Sequence, residues 1–243
     1  MSTDLKFWDH VDELRKRLIR AVLGVLVGAA GGLYYSEQLL AWLTQPFRDA
    51  LPANAQLAVL TPTEGFNVYI LVGLYGGVIV ALPWVFYQLW GFVAPALYPT
   101  ERRLVVPLVL ASTLLFLLGA GMCWWLLPQA LAFLAGFSTG NSTVFWSLDT
   151  YVTFVVLLAV AFGVCFQLPI VMAVLIKIDL VSPETFRHYR RIAYVIIVII
   201  AAIVTPTTDI FTLSALSIPL IVLYEASIIF GSLWQRRSSI NSN

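Results

Sequence analysis

The chain has 243 residues, of which 60% are hydrophobic and 11% charged, and its net charge is +1. A soluble domain of this length cannot hide that much apolar surface, so the bilayer is the solvent. Two cysteines and two histidines suggest neither a disulfide framework nor a metal centre. Cys123 and Cys165 sit inside apolar runs as small core residues, and His10 and His188 lie outside those runs.

Six apolar segments follow one another, at 19–35, 68–92, 104–127, 151–176, 192–204 and 210–230. They predict an all-α membrane protein with six transmembrane helices, forming one integral membrane domain over residues 1–243. The acidic start, with Asp4, Asp9 and Asp12, lacks the basic and apolar regions of a removable signal peptide. From Phe7 the residues Val11, Leu14 and Leu18 make one apolar stripe. This is expected to be an interfacial helix running into the first span.

Charge sets the orientation. Of the 14 basic residues, Lys6, Arg15, Lys16 and Arg17 precede the first span and Arg20 lies at its very start. Arg102 and Arg103 lie between the second and third, Lys177, Arg187, Arg190 and Arg191 between the fourth and fifth, and Arg236 and Arg237 after the sixth. Only Arg48 falls in a loop on the other side. The positive-inside rule therefore places both termini in the cytoplasm. It also requires the segment 192–204 to cross, although its length is only about 20 Å against a hydrocarbon core of about 30 Å. Short fifth and sixth spans in a locally thinned bilayer are the expected result.

Helix starts are marked by the capping box Thr61-Pro62-Thr63-Glu64, by Ser182-Pro183-Glu184, and by Asp149 and Asp209 as N-caps. The loop 36–67 holds a short amphipathic piece that ends near Pro46. Pro83, Pro107, Pro169 and Pro219 each remove a backbone donor within a span and should bend it, giving a concave wall.

Four acidic or amide side chains invite a functional reading. Glu13 is spaced to pair with Arg17 at i, i+4. Glu101 follows the stiff segment 92–100, near Phe92, Leu97 and Tyr98, and could simply favour a helix N-terminus. Equally, these two carboxylates interrupt a basic face and suit a ligand that carries guanidinium groups and an apolar stretch. Gln167 and Glu225 lie within spans at similar depth, either as an interhelical hydrogen bond or as a polar step in a transport route. The motifs G-x-S-x-G and H-E-x-x-H, a Walker loop and a dinucleotide fingerprint are all missing, so an enzyme is not expected.

The stretch His10-Val11-Asp12-Glu13-Leu14-Arg15-Lys16-Arg17-Leu18 and residues 92–103 closely resemble TatC, the core subunit of the twin-arginine translocase. So do Thr61-Pro62-x-Glu64-x-Phe66, Ser182-Pro183-Glu184 and Thr205-Pro206-x-x-Asp209. The resemblance implies a glove-like bundle in the bacterial inner membrane. It implies recognition of twin-arginine signal peptides of folded proteins, with TatA and TatB partners in an oligomeric receptor complex. Transport would be driven by the proton-motive force, without cofactor, metal or nucleic acid. It assigns the arginine-pair site to Glu13 and Glu101 with Phe92, and makes Arg17, Arg103, Pro46, Asp209 and Glu64 functionally sensitive. Many members have a glutamate in the fourth span where this chain has Gln167, which cannot ionise. Here Gln167 and Glu225 are expected to form a polar patch that meets a partner. A small-molecule or ion transporter is the alternative, although no inverted repeat is evident.

Overall fold

A computed structural model describes residues 2–52, 54–93, 105–136, 145–178, 180–204 and 210–240. Among them the chain is almost wholly helical. The helices are α1 (Ser2–Tyr34), α2 (Ser36–Leu43), α3 (Gln45–Ala50), α4 (Glu64–Val93), α5 (Val105–Ala135), α6 (Leu148–Cys165), α7 (Leu168–Lys177), α8 (Pro183–His188), α9 (Arg190–Val204) and α10 (Ile210–Ile240). Strands β1 (Gln56–Ala58) and β2 (Phe145–Ser147) pair as a small sheet. In hydrocarbon only a helix satisfies its own backbone donors and acceptors, so long apolar runs fold this way.

Among the described residues five stretches are long and apolar enough to cross a membrane: His10–Tyr34, Glu64–Val93, Val105–Ala135, Leu148–Lys177 and Thr212–Ile229. The segment 192–204 lies in α9, a 15-residue helix that falls short of that length. The interfacial stretch and the first span form one unbroken helix, α1, with Val11, Leu14 and Leu18 exposed. The side chain of Phe7 lies outside the described residues.

Contacts divide the chain into two compact units. The first comprises Met1–Gln45, Leu57–Thr113 and Trp146–Thr153. Its centre is an antiparallel pair, α1 against α4. Gly24 lies under the Trp84 ring, Gly28 against the Gly77 carbonyl, and Gly32 against that of Gly73. Any Cβ at these positions would strike the opposite helix, so small residues set the spacing. The Trp84 indole N–H donates to the Arg20 carbonyl at 2.9 Å, and the Trp90 indole donates to Ser112 Oγ at 2.8 Å.

The second unit comprises Pro46–Gln56, Leu114–Phe145 and Phe154–Asn243. Within it α5 meets α6 where Gly119 abuts the Phe162 backbone and Gly163 abuts the Phe116 ring. Gly231 of α10 packs on Ile176 of α7. The opposite face of α5 exposes Leu114, Leu118 and Trp125, and α9 exposes Val195, Ile199 and Ile203. Such apolar outer faces suit lipid and not water.

The helix ends correct several expectations. Pro83 and Pro219 do lie inside helices, but Pro107 sits in the first turn of α5, where its missing donor has no partner to lose. Pro169 does more than bend the fourth span. The helix stops at Cys165 and restarts at Leu168, with Pro169 in the first turn of α7. Pro128, just past the apolar segment 104–127, lies inside α5, which runs on to Ala135. Pro46 opens α3 instead of merely ending the preceding piece. Ser147 caps α6 through a bond from the Thr150 N–H, and Asp149 lies within the first turn. Ser182 caps α8 as its sequence predicts, accepting from the Thr185 N–H. Asp209 lies outside the described residues.

Candidate functional site

On a helix, residues four apart share a face. Arg17 therefore reaches Glu13, its Nε and Nη2 donating to the one oxygen Oε1 at 3.0 and 2.8 Å. The same face of α1 meets the end of α4. The His10 ring stacks on Phe92 with centroids 4.5 Å apart and planes 25° apart. The Arg17 guanidinium lies over Gly91, where an added Cβ would collide with Nη1. The Glu13 and Arg17 side chains are 36% and 24% exposed, so water and a guest can reach the carboxylate. An anionic side chain that already holds a guanidinium, next to a half-buried aromatic ring, can bind cationic apolar ligands.

The structure thus brings together Glu13, Arg17 and Phe92. Glu101 and Arg103 lie outside the described residues. Pro46 is buried in the second unit, in the first turn of α3.

Glu64 has a different environment. It is buried, and its carboxylate takes four bonds. Oε2 accepts from the N–H groups of Leu60 and Thr61 at 2.6 and 3.2 Å. Oε1 accepts from the Ser147 hydroxyl and the Asp149 N–H at 2.6 and 2.9 Å. The carboxylate half of the expected capping box is therefore present, and it also ties the start of α6 to the start of α4. A carboxylate is acceptor-only and matches four donors, whereas Gln would turn an NH2 group against two of them.

Gln167 sits at the position before α7, and its side-chain amide reaches back to the Gly163 carbonyl at 3.4 Å instead of capping the helix. Glu225 of α10 faces α9. Arg190 Nε lies 2.9 Å from its Oε1, a close charge contact without an aligned hydrogen bond. Tyr194 also donates its hydroxyl to Oε1. Arg190 and Tyr194 were not singled out from the sequence, because 35 and 31 residues separate them from Glu225. His10 and Gly91 were missed for a similar reason, since their roles come from the α1–α4 crossing. Ser147 could have been found, as a Ser immediately before an apolar helical run is an N-cap signal.

A family model described as Sec-independent protein translocase protein (TatC) matches residues 9–219. The chain belongs to the TatC family. Curated TatC proteins of Aquifex aeolicus and Koribacter versatilis are 40% and 35% identical. The first alignment covers 94% of this chain and 95% of its relative, and the second 92% and 84%. Crystal structures of the twin-arginine translocase receptor TatC are similar at 40% identity. One has a TM-score of 0.82, covering 92% of this chain and 98% of that one, and another, in DDM, has 0.83, covering 91% and 99%. As a TatC protein the chain is a multi-pass membrane component of the Tat protein-transport system and not an enzyme. The transporter alternative finds no support in these similarities.

Proposed function

We propose that this TatC protein is the signal-peptide receptor of its translocase. Glu13 and Glu101 take the paired arginines of twin-arginine signal peptides at the cytoplasmic face, with Phe92 against the apolar residues beside them. The observation that supports this reading is the Glu13 carboxylate, which holds a guanidinium within reach of solvent beside the Phe92–His10 stack. Arg17 and Arg103 tune the charge around the pair, and Pro46, Glu64 and Asp209 hold the loops on the opposite side. TatA and TatB are the partners, meeting Gln167 and Glu225 in an oligomeric complex, and the proton-motive force drives export. The chain lies in a bacterial inner membrane and crosses it six times with both termini inside. The fifth crossing is α9, through a thinned bilayer.

The test is binding of a labelled twin-arginine peptide to the full chain in detergent, read by fluorescence polarisation. Glu13→Gln and Glu101→Gln should each weaken binding about tenfold, as should changing both peptide arginines to lysine. Equal affinity of the Glu13→Gln protein and the unaltered one would remove the receptor reading.

A further inference from the structure

We infer that Arg17 is a resident competitor for the guest: it occupies Glu13 Oε1 in the empty receptor and must leave before a ligand's guanidinium can take both carboxylate oxygens in a fork. This rests on the reading of Glu13 as the recognition carboxylate and adds a role for its neighbour.

Three observations support it. Arg17 presents to Glu13 the same chemical group that the guest presents, through Nε and Nη2. The pair is partly open to water, with Arg17 24% and Glu13 36% exposed, and a half-exposed i, i+4 ion pair contributes little to helix stability. The guanidinium also rests in a gap that exists only because residue 91 has no side chain, since an alanine Cβ there would collide with Nη1 and lie 3.0 Å from Cζ. The guanidinium is the far end of a flexible side chain, so it can swing aside without moving the backbone of α1.

Displacement by a guest breaks two charge-assisted bonds and forms new ones at the same carboxylate. The cost of releasing Arg17 is then common to every guest. It lowers all affinities by one factor and leaves the ratio between arginine and lysine peptides unchanged. Weak cationic segments are thereby kept off the receptor, while a ligand with two guanidiniums still binds.

The experiment measures the Kd of a twin-arginine peptide and its twin-lysine counterpart on the full-length protein in detergent. Arg17→Gln should tighten both by the same factor, roughly two- to fivefold. Arg17→Lys keeps the positive charge and loses the fork, so it should give a smaller gain in the same direction. Unchanged or weaker binding by Arg17→Gln would overturn the inference, as would a gain confined to one peptide. A gain with Arg17→Gln and none with Arg17→Lys would also overturn it, because removal of net charge would then account for the effect. Glu13→Gln is the separate arm: if it leaves binding unchanged, the receptor reading itself fails, whatever Arg17 does.

Discussion

Two helix pairs in this molecule solve the same problem by different chemistry. In the first unit α1 and α4 approach so closely that glycine backbones touch across the seam, at Gly28 with Gly77 and at Gly32 with Gly73. In the second unit α9 and α10 are joined by a carboxylate, Glu225, that meets Arg190 and Tyr194. Between apolar helices in lipid the hydrophobic effect gives no preference for association. What remains is either shape, which needs small residues along a whole face, or a few polar bonds. The first solution fixes spacing and tolerates no added volume. The second tolerates volume but depends on charge.

The largest effect should come from adding volume to the seam. A Cβ at Gly77 meets the backbone of Ala29 and Gly28, and backbone cannot yield as a side chain can. Gly77→Val should destabilise by about 3 kcal/mol or more, seen as a lowered Tm in detergent and a lower yield of monodisperse protein. Gly31 has open space around its Cβ position, so Gly31→Ala should change stability by no more than about 0.5 kcal/mol. Equal sensitivity at the two glycines would dissolve the contrast.

A smaller effect is expected in the other pair. Glu225→Gln removes the charge that faces Arg190. The arginine side chain is 39% exposed, and solvent screens part of the loss, so about 1 kcal/mol is expected. The double variant Arg190→Gln with Glu225→Gln should recover part of that loss, because no charge is left without its partner. A double variant as unstable as the sum of the singles would show that the two side chains act independently.

The smallest effect tests whether the glycine seam uses polar bonds at all. Trp84→Phe keeps a ring over Gly24 and deletes the N–H that reaches the Arg20 carbonyl. A loss of about 0.5–1 kcal/mol is expected from thermal unfolding. A loss as large as that of Gly77→Val would show that the indole bond, and not shape, holds α1 to α4.

The contrast also marks how far sequence reasoning reaches. Hydropathy located the apolar segments, and the local rules worked where both partners sit within one turn, as with Glu13 and Arg17 or Ser182 and Thr185. The seam was visible as Gly24-x-x-x-Gly28-x-x-x-Gly32 but passed unused, because its meaning needs the facing glycines of α4. The break before Pro169 was underestimated. Proline predicts a bend, yet its missing donor leaves the Cys165 carbonyl four residues back without its helical partner, and there one helix ends before the next begins. The partners of Glu225 were not legible. Spacing along one helix says nothing about which side chain a neighbouring helix will offer, and Arg190 had been counted only as a topogenic charge.

Glu64 has a consequence in time. Two of the donors to its carboxylate lie 83 and 85 residues further along the chain. At a synthesis rate of roughly 5–20 residues per second, they emerge some 4–17 s after it does. During that interval the nascent hairpin of α1 and α4 holds a half-satisfied acid at its end, and Ser147 arrives as the latch. Premature release of the chain before residue 149 should therefore leave a species that quality-control proteases recognise, however well its glycines already fit.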